Sequence, residues 1–213
     1  MGQRNIAERQ RIDLTVFADA SFHSETGAAG WGAWIKGNGM ERGATQGGGI
    51  RVEVRGAIEA EVIALVNAMA FAAARDHMTA GMTVLVQSDC LAALESLRLV
   101  LDARDHPIAG GHSVNRAKQL CKQLEGSSAL DFVQALVSRL DVAVLVRHVR
   151  GHSKGPGRNW VNRHCDQLAK RGMADRRARI LAARGDGTRA QPPATPQRRR
   201  AGRAPGGPAT RDG

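Results

Sequence analysis

The stretch AIEAEVIALVNAMAFAAA at residues 57–74 constrains the fold of this chain more than any other. Its Ala, Leu, Met and Glu content favours a helix, and at 100° per residue the apolar side chains occupy most of the circumference. Such a helix has to be covered on more than one side. The material for that cover lies around it. IDLTVFADAS at 12–21 is β-branched and apolar, AGWGAWIKG at 29–37 alternates, and a weaker strand is expected within 41–52, where Gly47, Gly48 and Gly49 suggest a bulge or turn. Beyond the helix come TVLVQSD at 83–89 as a buried strand, LAALESLRLVL as a helix, and a helical region over about 113–139 with a break at Gly126, Ser127 and Ser128. DVAVLVRHV at 141–149 is the last strand, and a further helix starts near Trp160. Three strands followed by alternating helices and strands predict an α/β fold: a five-stranded mixed sheet, antiparallel meander first and parallel crossovers later, flanked by helices.

Four carboxylates break this apolar pattern. Asp19 interrupts the first strand, and Asp89 ends the central one directly before a helix, at the carboxyl end of a strand where open α/β sheets collect functional groups. Glu61 shares a helical stripe with Ile58, Leu65, Ala68 and Met69, whereas Glu59 points about 160° away. Asp166 falls early in the last helix. Each has a plainer reading: Asp89 and Asp166 as helix caps, Asp19 as a turn residue, Glu61 reaching solvent at a helix end. Together they are less easily dismissed, because the first and central strands are expected side by side. Ionised carboxylates in apolar surroundings cost several kcal/mol, and clustered like charges worsen one another. A divalent cation would compensate all four at once.

The order VFADAS, AEVIAL, VLVQSD, HVRGHS, CDQLA resembles ribonuclease H of type 1, within the wider ribonuclease H-like nuclease superfamily. The resemblance covers about 12–172. It implies a ribonuclease H-like sheet and an endonuclease that hydrolyses the RNA strand of RNA–DNA hybrids. It further implies that Asp19, Glu61, Asp89 and Asp166 bind two Mg²⁺ or Mn²⁺ ions about 3.5–4 Å apart, with Asp19 bridging them, Glu61 and Asp89 mainly on one ion and Asp166 on the other. His152, in the Gly-His loop, matches the family histidine linked to proton transfer or product release. The sequence also departs from the family. Asparagines that help read the 2′-hydroxyls are replaced by Glu25, Ala57 and Ile58, the loop from His152 to Asp166 is about four residues longer, with GPGRNW inserted, and 98–112 lacks the basic, Trp-containing handle. Two alternatives therefore stand beside the hybrid-cleaving enzyme: a nuclease of the same fold acting on DNA or structured RNA, and a noncatalytic hybrid- or RNA-binding module.

Charge supplies the partner. The net charge is +11 and the isoelectric point about 11, which suits nucleic acid. The excess is uneven: residues 170–184 carry +5 and 185–213 carry +4, leaving +2 for the rest. The last segment holds five of the seven prolines and no apolar periodicity, so a disordered basic tail is expected over 185–213, after an N-terminal extension at 1–11 and a catalytic domain at 12–184. The cationic helix end and tail are expected to supply phosphate contacts in place of the missing handle. No apolar run approaches the roughly 20 residues of a membrane span, and the polar start MGQRNIAERQRID is unlike a signal peptide, so no membrane is expected. Three scattered cysteines, Cys90, Cys121 and Cys165, form no disulfide framework and suit a cytoplasmic monomer. A zinc cluster of His148, His152, His164 and Cys165 is a weak alternative, since adjacent residues rarely face one ion. The glycines of GAAGWGAWIKG precede a strand and are expected to make a tight turn beside the site.

Overall fold

A computed structural model describes residues 11–101, 104–105, 128–149 and 160–186. The elements are β1 (Leu14–His23), β2 (Ala28–Gly37), β3 (Ala44–Gly49), α1 (Ala57–Ala74), β4 (Thr83–Ser88), α2 (Leu91–Leu101), β5 (Arg104–Asp105), α3 (Ser128–Leu140), β6 (Ala143–His148) and α4 (Trp160–Asp186). One sheet runs β3-β2-β1-β4-β6-β5. The first three strands form the antiparallel meander, β1 pairs with β4 in parallel, and β4 with β6. The five expected strands are all present, and the two-residue β5 lengthens the edge beside β6. The helical region before Ser128, His152, Cys121 and the segment 187–213 lie outside the described residues.

α1 starts at Gly56 without a side-chain cap. Glu59 takes over that function, accepting the Arg55 N–H at 2.7 Å and pairing with the Arg55 guanidinium at 3.1 Å. This acid in the first turn also complements the helix dipole. Leu65 and Met69 of α1 meet Leu14, Val16, Val84 and Val86 of the sheet, with Val133 of α3 closing the layer. With a mean hydropathy of 1.7 over 18 residues, α1 matches a membrane span in length and composition, contrary to the sequence expectation. Its surroundings explain why: it is the core helix, in contact with β1, β2, α2 and α3.

The glycines are not where the sequence suggested. Gly47, Gly48 and Gly49 make no bulge or turn but pair in register with Gly32, Trp31 and Gly30. Of the GAAGWGAWIKG glycines only Gly27 sits in the turn, with φ +69°, and its N–H reaches the His23 carbonyl at 2.9 Å. Gly30, Gly32, Gly47 and Gly49 instead pave the sheet under α4. A Cβ on Gly32 would meet the Cys165 carbonyl, and one on Gly30 the backbone of Ala169 and Met173. Side chains alternate along a strand, so Ala33 and Ile35 face the core beside α1 while the glycines face α4. The two helices cover opposite faces, and α4 lies with its backbone almost against the sheet.

Candidate active site

Asp19 lies inside β1 opposite Gly32, which disposes of the turn reading. Phe17 is in register with Gln87, the last pair of the β1–β4 ladder, so Asp19 and Asp89 stand two residues farther on, where β4 ends and β1 runs on past it. Gly32 admits α4 at this same level, and the helix delivers Asp166, the residue after the buried Cys165. Glu61 approaches from the first turns of α1. Neither plain capping role survives. Asp166 is the seventh residue of α4, and at the start of α2 the side-chain acceptor is Ser88 Oγ, which takes the Cys90 N–H at 3.0 Å.

Electrostatics show that the carboxylates converge. Burial, followed by the charge of Asp89, pushes the Asp19 pKa up to about 7, although the Ala20 N–H donates to Oδ1 at 2.9 Å and opposes the shift. Asp166 adds to the rise, and Lys170 offsets some of it. Burial and then the charges of Asp19 and Asp89 push Glu61 up to about 9. Glu61 Oε2 is buried without a hydrogen-bond partner. Asp166 is held by Lys170 at 2.8 Å. Among the described residues no three His, Cys, Asp or Glu side chains are drawn tightly enough to hold an ion as they stand. An orphaned buried carboxylate oxygen and two acids whose ionisation is suppressed by desolvation and mutual repulsion still form a donor set that fits a hard divalent cation.

Two further groups meet Asp89. Asn162 Nδ2 lies 3.4 Å from Asp89 Oδ2, and His148 Nε2 is 3.0 Å from the Asp89 carbonyl oxygen. Sequence reasoning passed over both in this role. Asn162 precedes Asp166 by four residues, one helical turn, which puts it on the same face and was the available signal. The histidines and Cys165 make no zinc cluster among the described residues: His148 serves Asp89, His164 stacks on Trp160 with centroids 5.2 Å apart, and Cys165 is fully buried. Burial pushes the Cys90 thiol up to about 11 and the Cys165 thiol still higher, so neither is a ready thiolate.

A pH dependence follows. The unfolded chain releases these carboxyl protons near pH 4, whereas the folded protein keeps them toward pH 7 and pH 9. Between those limits the native state binds more protons, so the stability contributed by these groups falls as pH rises. In EDTA their share is full below about pH 4, still present in part at pH 5 and lost as pH rises toward 9, and excess Mg²⁺ is expected to raise the melting temperature more at pH 8 than at pH 5. Thermal melts at the two pH values, with and without the metal, check this; equal Mg²⁺ shifts at both would contradict it.

A mixed sheet covered by helices on both faces, with carboxylates from two central strands and two helices gathered where β4 ends, defines an α/β protein whose site is suited to hard cations. The chain belongs to the RNase H family, whose model matches residues 11–174. No curated protein matches the sequence. Among solved structures, the N-terminal RNase H domain of a Mycobacterium tuberculosis protein, determined as a maltose-binding-protein fusion, is similar at a TM-score of 0.50 and 19% identity, over 80% of this chain and 99% of that one. RNase H1 from the halophilic archaeon Halobacterium salinarum NRC-1 gives 0.47 at 18% identity, over 76% and 98%. LC11-RNase H1 in complex with RNA/DNA hybrid gives 0.48 at 14%, over 76% and 97%. At these identities the likeness is one of fold.

Proposed function

We propose that this protein is an endoribonuclease that hydrolyses the RNA strand of RNA–DNA hybrids with two divalent cations, Mg²⁺ or Mn²⁺, and that it works as a cytoplasmic monomer without membrane attachment. The observation that carries the reading is the buried, unpartnered Oε2 of Glu61 beside Asp19 and Asp89 in a member of the RNase H family. When bound, divalent cations supply the positive charge that activates an attacking water and stabilises the leaving 3′ oxygen. In this scheme Asp19 would be shared by the two ions, Glu61 and Asp89 would serve mainly one, and Asp166, now held by Lys170, would serve the other. Asn162 and His148 hold Asp89 in place. His152 assists proton transfer or product release. The unpaired thiols of Cys90 and Cys165 suit a reducing compartment.

A second reading, cleavage of DNA or structured RNA, draws on the side chains at the places where the family has asparagines. Glu25 lies exposed in the β1–β2 turn, and Ala57 and Ile58 open α1, so none of the three offers an amide to a 2′-hydroxyl. A noncatalytic module is disfavoured by the acids themselves, since buried negative charge facing phosphates only weakens binding. The test is an end-labelled panel of RNA–DNA hybrid, double-stranded DNA, double-stranded RNA and single strands, with Mg²⁺, Mn²⁺ or EDTA, alongside Asp89→Asn. Metal-dependent cuts confined to the RNA of the hybrid, lost in Asp89→Asn, are expected. Cuts in DNA or double-stranded RNA transfer the assignment to the second reading, and binding without cleavage to the third.

A further inference from the structure

The family match ends at residue 174, but α4 continues to Asp186. None of its residues from 173 to 185 is buried, so this last part leaves the sheet and runs into solvent. It is nonetheless anchored, because Arg176 donates to the Arg51 carbonyl at 3.1 Å and its Cβ packs near where a side chain on Gly49 would stand.

At 100° per residue, Arg184 falls directly in line with Asp166 five turns earlier, Arg177 within about 20° and Lys170 within about 40°. Asp175 lies on the opposite side. Three cations therefore form a stripe on the face that carries the site aspartate, with no acid between them. Lys170 pairs with Asp166, whereas among the described residues Arg177 and Arg184 have no ion-pair partner. The stripe reaches about 27 Å from Asp166 at 1.5 Å per residue. That matches about eight base pairs of duplex at ~3.4 Å each along a strand.

We infer that the exposed end of α4 is a cationic arm that grips the phosphate backbone of the duplex held at the active site, through Arg177 and Arg184. Guanidinium groups suit this task, since they stay charged and match phosphate geometry. The alignment with Asp166 selects this occupant over an unrelated acidic partner: a rigid helix extends the binding face from the cutting point along the same ligand. The inference rests on the proposed hybrid substrate, and binding in EDTA is scored apart from turnover, so the two can fail separately.

The experiment measures affinity of the full-length protein for a 20-base-pair RNA–DNA hybrid in EDTA at several salt concentrations. Each phosphate contact contributes about 0.9 to the slope of log K against log salt. The Arg177→Gln/Arg184→Gln variant is expected to weaken binding several-fold and to flatten that slope by about 2. Arg179→Gln, about 140° from the stripe, is expected to keep both at wild-type values. Unchanged slope and affinity in the double variant overturn the inference, as does an equal effect of Arg179→Gln, which would reduce the arm to diffuse charge. Phosphatidylserine vesicles serve as a second probe, and arm-dependent vesicle binding with unaltered hybrid binding also overturns it.

Discussion

Asp19→Asn is expected to abolish cleavage and, in the same protein, to raise the melting temperature of the metal-free form at pH 8. The loss follows from its position. Asp19 stands inside β1 just past the level where β4 ends, within reach of the charges of Asp89 and Asp166, so in the proposed scheme its removal would take a shared ligand from both cations. Lewis-acid stabilisation by such ions is worth several kcal/mol, and at 1.36 kcal/mol per tenfold the rate should fall by about 10³ or more. The gain in stability has the opposite origin. Holding Asp19 ionised at pH 8, with its pKa at about 7 instead of 3.8, costs about 4 kcal/mol. The amide has no charge to desolvate, although its burial takes back part of this. A net gain of ~2 kcal/mol corresponds to a rise of about 5 °C in a protein of this size. Melting in EDTA at pH 5 and pH 8 reads it out: the variant should gain at pH 8 and gain little at pH 5, where the wild-type acid is already protonated. A variant that loses stability at pH 8 would mean that Asp19 supports the fold and is not held there against its own charge.

The acids were legible because each violated a local pattern, and the structure adds which violation carries information. Glu95 is as deeply placed as Asp19, at 5% against 8% exposure, yet Arg98 meets it at 2.9 Å one turn away, so its burial is compensated within α2. Glu61 is only half-buried as a residue, but its Oε2 is buried and lacks such a partner. Burial plus an absent counter-ion is the signal, and only the first half can be read from periodicity. Strand order was also legible, since the apolar runs and their turn residues leave few right-handed arrangements. The role of the glycines was not. A Gly-rich run looks like a turn when judged one residue at a time, and only the approach of α4, more than a hundred residues away in the chain, turns Gly30, Gly32, Gly47 and Gly49 into packing residues. Asn162 and His148 were missed because neutral polar side chains at a partly buried helix face or strand end break no pattern. The role given to His152 falls outside the described residues.

Gly32→Ala is expected to destabilise the protein by about 3 kcal/mol and to cut activity at least a hundredfold. The added Cβ would stand well inside van der Waals contact with the Cys165 carbonyl and close to the Leu168 Cβ. A backbone oxygen in the middle of a helix cannot swing aside as a flexible side chain can, so α4 must shift as a body or the sheet must open. Overpacking of this kind costs ~1–3 kcal/mol and sometimes more. Asp166 follows Cys165 directly and travels with it, and a displacement of about 1 Å in a reacting group is enough for a 10²-fold loss. The neighbouring strand supplies the control. Gly48 is also a sheet glycine, but a Cβ there meets nothing closer than the Trp31 indole nitrogen at 3.7 Å. Gly48→Ala should therefore melt and cleave close to wild type. Chemical denaturation of the two variants, together with cleavage at a temperature where both remain folded, separates lost stability from a displaced aspartate. Equal behaviour of the pair would mean that the sheet tolerates a methyl group under α4, and that Asp166 reaches the other three carboxylates by some means other than the close seating of this helix on glycine.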